Sequence, residues 1–210
     1  MRSYSLDDIR QTFSTSTDFN EIFDVFQAAI RQKIKDVEPY RLLFWNQSLT
    51  PDEIRLFGEK LAAEFNDLAY DVYLWLASVF EVTASSDDNY ELALHYYEKA
   101  AAARPVEPDP YLDACDCYDP DLNIPPLNAL VEFLKRGVEH VPQPASLYKR
   151  LAQLYDLAGD AEQSEWCRQK AEGQENQDNP DNTDSPNNPG KQDSPEGDKG
   201  PATDADPPPA

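Results

Sequence analysis

The last 39 residues of this 210-residue chain lack every large apolar side chain that a folded core requires. From Glu172 to Ala210 there is no Val, Ile, Leu, Met, Phe, Tyr, Trp or Cys, while Pro, Asn, Asp and Gly recur. Such a segment buries too little apolar surface to offset the conformational entropy that folding costs. The sequence therefore predicts a folded part that ends near Ala171 and a disordered acidic tail over residues 172–210.

The charge of the chain favours basic partners. The formal net charge is −22 at pH 7, and the tail, with ten acidic residues and two lysines, accounts for −8 of it, which leaves −14 on residues 1–171. A surface of this sign repels nucleic-acid phosphates and anionic lipid and attracts basic proteins. We therefore expect a basic protein or peptide partner, and neither nucleic acid nor a membrane. The alternative is that the acidity serves only solubility.

The remaining global features are typical of a cytoplasmic protein. Residues 1–11 carry charges and no continuous apolar stretch, unlike a signal peptide. No apolar run approaches membrane-spanning length. The three cysteines are odd in number and lack the spacing of a disulfide framework, which fits a reducing compartment.

Helix signals fill the first 171 residues. From Phe19 the apolar residues recur at spacings of three and four, which places them on one face of a helix, and Asp18 supplies the cap. A second start signal combines the capping hydroxyl of Thr50, a proline at position 51 and the carboxylate of Glu53, which can return to the cap amide. Both patterns predict helices that begin at these residues.

Beyond Asp67 the apolar pattern repeats three times, and each unit has the order expected of two antiparallel helices. The first unit consists of Tyr73, Leu76, Ala77 and Phe80, followed by Ala93, Tyr97, Ala100 and Pro105. The second consists of Tyr111, Ala114, Cys115 and Tyr118, followed by Ala129, Phe133 and Pro142. The third consists of Tyr148, Leu151, Ala152 and Tyr155, followed by Gly159, Ser164, Arg168 and Ala171.

This order of aromatic, leucine and small residues resembles the tetratricopeptide repeat (TPR), a helix-turn-helix unit of about 34 residues. The resemblance covers residues 71–171. The chain departs from the pattern where a few extra residues precede Ala93 and Ala129, and where Ser164 and Arg168 replace the usual small and aromatic residues. The resemblance implies an all-α fold in which antiparallel helix pairs stack as a short, degenerate TPR-like α-solenoid.

Three regions follow from these patterns. Residues 1–66 form an N-terminal helical region, residues 67–171 the TPR-like repeats, and residues 172–210 the tail. Two interpretations of the first region remain open. It is either a separate helical cap over the first repeat, or residues 38–65 form a further degenerate pair with Tyr40 and Leu43 in the first helix and Ala63 in the second.

No pattern in the sequence indicates catalysis. The two histidines, His95 and His140, fall in different units, and no phosphate-binding loop, dinucleotide-binding or hydrolase motif occurs. Cys115 and Cys117 have no second cysteine pair with which to bind zinc. The acidic stretch over residues 116–123 lacks the glycine and terminal glutamate of a calcium-binding EF-hand loop. We therefore expect no enzyme activity, no cofactor and no metal.

The resemblance does imply a partner-binding surface. In TPR proteins the first helix of each pair lines a concave groove, and the residues of those helices that do not face the core are candidate contacts. Here the candidates are Ser78, Glu81, Asp109, Asp113, Asp116, Asp119, Lys149, Gln153 and Asp156. This groove is mainly acidic. Only Lys149 and Arg150 could contribute to the basic clamp with which some family members bind acidic chaperone C-termini, so a basic ligand is expected instead.

Exposed aromatic residues would anchor such a ligand, and Trp75, Tyr90 and Trp166 are the candidates.

The predicted function is that of a non-enzymatic protein–protein interaction adaptor, scaffold or assembly factor. The alternative is a small acidic chaperone for a client protein, similar to the TPR chaperones of type III secretion. The sequence does not identify the partner, the process or the oligomeric state.

Overall fold

The computed structural model describes residues 3–82 and 88–178, with the side chains of 88–89 and 175–178 excepted. Within these ranges the chain is all-α, as predicted. The helices are α1 (Leu6–Thr15), α2 (Phe19–Arg31), α3 (Val37–Phe44), α4 (Pro51–Glu64), α5 (Ala69–Val82), α6 (Asp88–Ala103), α7 (Asp109–Asp113), α8 (Leu127–His140), α9 (Ala145–Ala158) and α10 (Ala161–Asp178). Short 3₁₀ turns cover Asn66–Leu68 and Ala114–Cys117.

The helix ends follow local chemistry. The Thr50 hydroxyl accepts a hydrogen bond from the Glu53 amide at 3.3 Å, and the Glu53 carboxylate accepts one from the Thr50 amide at 2.7 Å. The predicted capping box of α4 is therefore confirmed. The Asp18 carboxylate likewise caps α2 by accepting from the Asn20 amide at 2.9 Å. At the other end of a helix, Gly159 takes the left-handed conformation, with φ of 76°, and terminates α9.

Consecutive helices form antiparallel pairs that stack on one another. The pairs α5/α6 and α9/α10 pack along their lengths, and α4 packs against α5. The first helices of successive pairs are also neighbours: α1 contacts α3, α3 contacts α5, and α7 contacts α9. We call α1, α3, α5, α7 and α9 the first-helix layer. This arrangement is the stack of antiparallel helix pairs that the sequence predicted.

One hydrophobic cluster runs through the stack, from Ile9 in α1 to Cys167 in α10. The N-terminal helices therefore share a core with the repeats. Helices α3 and α4 follow one another along the chain, and on α4 Ala62 is buried whereas Ala63 is exposed. The reason is helical phase: Ile54, Phe57 and Leu61 point to the core, and residue 62 completes that face.

The second repeat departs from the predicted geometry. The helix expected to carry Tyr111 to Tyr118 ends at Asp113 and continues only as a 3₁₀ turn. Tyr118 is extended, and Asp119 precedes Pro120, where the α conformation is disfavoured, so no helix can resume at the end of this unit. Cys115 and Cys117 are both buried in the turn.

The third repeat keeps its packing despite its unusual residues. Ser164 is fully buried, and its hydroxyl donates to the Ala152 carbonyl at 3.0 Å, so a small polar residue joins α10 to α9. Helix α10 passes residue 171, where the sequence placed the boundary, and reaches Asp178. Residues 172–178 are rich in Glu and Gln, which favour helix even where no core is available. The rest of the predicted tail, residues 179–210, lies outside the described residues.

A glycine sets the distance between α8 and its neighbours. A Cβ atom at Gly137 would lie 2.8 Å from the ring of Tyr111 and 3.0 Å from the Leu147 side chain. Both neighbours are buried, so neither ring nor methyl group can move aside at low cost. Gly173 in α10, by contrast, has no atom within 4 Å of such a Cβ.

These two glycines give a matched pair of substitutions. Gly137→Ala should lower the free energy of unfolding by about 1–3 kcal/mol because it overpacks the contact with Tyr111. Gly173→Ala should raise it by up to about 1 kcal/mol, since alanine has the higher helix propensity. Urea denaturation followed by circular dichroism measures both. Equal effects of the two substitutions would contradict the close approach at residue 137.

Asn46 is a polar residue buried among apolar ones. Its side-chain amide donates to the carbonyls of Phe13 at 2.9 Å and Ser16 at 3.0 Å, and its side-chain oxygen accepts from the Ser48 amide at 2.9 Å. The residue is 8% exposed, so these groups have little access to water. Asn46 therefore joins the end of α1 to the loop between α3 and α4.

Removing this side chain should be costly. Asn46→Ala leaves the Phe13 carbonyl without its donor, and we expect a loss of about 1–3 kcal/mol in the free energy of unfolding. Gln47→Ala, on the exposed neighbouring residue, is the control and should change stability little. Thermal unfolding of the two variants side by side measures the difference, and a neutral Asn46→Ala would show that water replaces the amide.

Candidate functional site

The nine predicted contact residues lie where the first-helix layer passes through the repeats. Ser78 and Glu81 are on α5, Asp109 and Asp113 on α7, and Asp116 in the 3₁₀ turn that follows. Asp119 lies in the loop after that turn, and α9 carries Lys149, Gln153 and Asp156. All are exposed or half-buried. Helices α7 and α9 contact one another, yet only some of the nine side chains come together.

Four carboxylates converge at the centre of this surface, and we call Glu81, Asp109, Asp113 and Asp116 the acidic cluster. Partial burial and the negative charges of Asp109, Asp116 and Glu81 together raise the pKa of Asp113 to about 6, while Arg150 opposes them. The structure thus brings three of the other predicted contact residues within electrostatic reach of Asp113.

One arginine partly neutralises the acidic cluster. The Arg150 guanidinium on α9 donates to the Asp116 carboxylate at 2.8 Å, which also joins α9 to the turn after α7. It is the cation whose charge lowers the pKa of Asp113. Four carboxylates facing one guanidinium leave an excess of negative charge at neutral pH. A cationic group bound here would therefore have a more favourable electrostatic energy than one bound to a surface whose charges balance.

The groups beneath the acidic cluster are neutral. The Tyr97 hydroxyl, on the buried side of α6, donates to the Glu81 carboxylate at 2.9 Å. Burial raises the pKa of Tyr97, and burial together with Glu81 and Asp116 raises the pKa of the Cys117 thiol. Neither group ionises at neutral pH, so neither offers a nucleophile. Tyr97 instead fixes the position of Glu81.

The other predicted residues have local roles. The Ser78 hydroxyl donates to the Leu74 carbonyl at 3.0 Å within α5. The Asp119 carboxylate accepts from the amides of Asp121 and Leu122, so it shapes its own loop. Asp156 pairs with Arg168 on α10. Lys149 and Gln153 are exposed on α9.

The candidate aromatic anchors differ in accessibility. Trp75 is half-buried and packs against Phe44, with 6.4 Å between ring centroids, and Tyr90 packs against the core. Trp166 is 48% exposed, with Lys170 over its ring. The sequence missed Trp45, which is 51% exposed. Trp45 directly follows Leu43 and Phe44, the two core residues at the end of α3, and this position was the sequence feature from which its exposure could have been predicted.

The described residues contain no group of three or more His, Cys, Asp or Glu side chains that could hold a metal ion. A polar surface depression of about 790 Å³ lies along α1 and α2, away from the acidic cluster, and its lining includes neither histidine nor cysteine. Across the described part of the chain, no helix has both the length and the hydropathy to cross a bilayer.

Comparisons with known proteins assign no family. No family model and no curated protein matches the sequence significantly. Solved structures that align with the chain include a crystal structure of MamA, at 16% identity and a TM-score of 0.48, over 84% of this chain and 98% of that one. A second MamA crystal structure aligns at 16% identity and 0.49, over 85% and 93%. Similarities this low support no functional argument.

The raised pKa of Asp113 makes stability depend on pH. The ordinary value is 3.8, so the folded state binds a proton more tightly than the unfolded state does. Above pH 6 the charged carboxylate therefore lowers the free energy of unfolding by its full amount. This loss of stability disappears as the pH falls from 6 to below 3.8. Asp113→Asn should raise the free energy of unfolding at pH 7.5 by about 1 kcal/mol, because solvent screening limits the effect at a residue that is only partly buried.

The same substitution should have little effect at pH 3.5, where most of the carboxyl is protonated in both states. Denaturation at the two pH values measures the difference. Glu139→Gln, an equal change of charge on the exposed side of α8, is the control. A stabilisation that is the same at both pH values would contradict the raised pKa of Asp113.

Proposed function

We propose that this chain is a non-enzymatic interaction module, an adaptor or assembly factor, that binds a basic segment of a partner protein at the acidic cluster. The observation that carries the proposal is the excess of negative charge among Glu81, Asp109, Asp113 and Asp116, opposed by Arg150. A lysine or arginine that docks here lowers the pKa of Asp113 and relieves the repulsion between carboxylates.

Stacked helix pairs suit this role. The helices of the first-helix layer present side chains from separate parts of the sequence along one surface, which can follow an extended or helical segment. Half-buried Trp75, about two turns before Glu81, offers an apolar contact on the same helix. The partner segment is therefore expected to combine basic residues with an apolar side chain.

The chemistry of the described residues favours binding over catalysis. The buried phenol and thiol next to the acidic cluster have raised pKa values, which removes them as nucleophiles at neutral pH. The three cysteines are free and buried, which is consistent with a reducing compartment such as the cytoplasm.

The test compares two variants with the same change of charge. Glu81→Gln with Asp113→Asn removes two charges from the acidic cluster, whereas Glu91→Gln with Glu139→Gln removes two from the exposed surfaces of α6 and α8. Each tagged chain is recovered from its native cells, and the co-purifying proteins are quantified by mass spectrometry. We expect a basic protein to fall about tenfold with the first variant and to persist with the second.

Salt provides an independent check, because exposed charge pairs weaken as ionic strength rises. The partner should be recovered at low salt and lost at high salt from the wild-type chain. Recovery of the same basic proteins by both variants would contradict binding at the acidic cluster. Recovery of an acidic partner would contradict the proposed charge preference.

A further inference from the structure

Two cations at the end of α2 lack an ionic partner in the described part of the chain. Most of the other lysines and arginines there pair with a carboxylate, as Lys35 does with Asp67 at 2.8 Å. Arg31 and Lys33 are both exposed, and no carboxylate of the described residues lies within ion-pair distance of either one. We call residues 31–33 the basic turn. It carries two unpaired positive charges in a chain that is otherwise strongly acidic.

The position of Lys33 is unusual for a lysine. Its backbone has a φ of 53°, and the Ile34 amide donates to the Ala29 carbonyl at 3.1 Å, so α2 ends in the motif that most often has glycine at this position. The Cβ atom of a lysine makes this left-handed conformation less favourable than it is for glycine. Because the Lys33 side chain is exposed, burial does not offset that cost. What lysine adds at this position is an exposed positive charge close to that of Arg31.

The acidic cluster carries the complementary charge. Among the described residues, Asp116 pairs with Arg150, whereas Glu81, Asp109 and Asp113 form no ion pair. The basic turn of the same copy does not act on Asp113, whose neighbouring cation is Arg150. Helix α2 packs on α1 and α4, away from the helices α5 and α7 that carry the cluster. The two sets of unpaired charges therefore do not neutralise one another within one chain, and both remain available to a second copy.

We propose that the basic turn of one copy docks on the acidic cluster of a second copy of this chain. The inference rests on the proposed function, because it identifies residues 31–33 as a basic segment that the acidic cluster binds. The two surfaces differ, so the contact is heterologous: each copy offers its basic turn to one neighbour and its acidic cluster to another. Exposed charge pairs are individually weak, so the assembly depends on concentration.

The net charge of −22 sets the conditions under which this contact forms. At low ionic strength, repulsion between two acidic copies opposes their approach. At about 0.15 M salt the Debye length is about 8 Å, which screens the repulsion between distant charges more than the attraction between groups in contact. Self-association is therefore measured near this ionic strength.

Two complementary variants test the head-to-tail contact. Arg31→Gln/Lys33→Gln removes the charges of the basic turn, and Glu81→Gln/Asp113→Asn removes two charges of the acidic cluster. In sedimentation velocity over a wide concentration range, the full wild-type chain should form dimers and larger assemblies. Each variant alone should associate about tenfold more weakly or worse. An equimolar mixture of the two should form a 1:1 dimer and nothing larger, because only one intact pair of surfaces remains.

Two matched controls separate this contact from a general effect of charge. Arg168→Gln/Lys170→Gln removes two cations with the same spacing on α10, and Glu91→Gln/Glu139→Gln removes two carboxylates outside the acidic cluster. Both should associate like the wild-type chain, and circular dichroism confirms that every variant is folded.

Two outcomes would overturn the inference: a wild-type chain that stays monomeric at high concentration, or a mixture of the two complementary variants that does. A monomeric wild-type chain that still captures another basic protein through the acidic cluster would overturn self-association alone and leave the proposed function standing. Self-association that survives Glu81→Gln/Asp113→Asn unchanged would show that the acidic cluster is not the docking surface.

Discussion

The burial of one apolar face per helix against the next helix is the constraint on which the rest of the structure depends. A single helix pair cannot cover its own apolar surface, so the hydrophobic cluster must continue from Ile9 to Cys167. Close approach makes this continuity possible, because Gly137 leaves room for the Tyr111 ring and Ser164 fits between α9 and α10. Every surface feature, including the acidic cluster, is positioned by this packing.

Polar groups at the helix contacts refine that packing. Asn46 satisfies carbonyls at the end of α1, and Tyr97 reaches from the buried side of α6 to hold the carboxylate of Glu81. Arg150 joins α9 to the turn after α7 through Asp116. These contacts cross between helices, so they fix the relative positions of charges that lie on different elements. The acidic cluster is consequently a product of the stack rather than of any one helix.

The acidic cluster lies on the first-helix layer, where α5, α7 and the turn after α7 supply the carboxylates and α9 supplies the opposing Arg150. A surface with such an excess of one charge favours a partner of the opposite charge.

The sequence by itself determined the helices, their caps and their apolar faces, because these depend on residues three or four positions apart. It also indicated which side chains are accessible, yet it extended α7 through Tyr118. Only the tertiary structure decided that Glu81 lies beside Asp113 and that Arg150 pairs with Asp116, contacts that span 32 and 34 residues. The physical reason is that such contacts depend on the angle and phase at which whole helices pack, which no local spacing encodes.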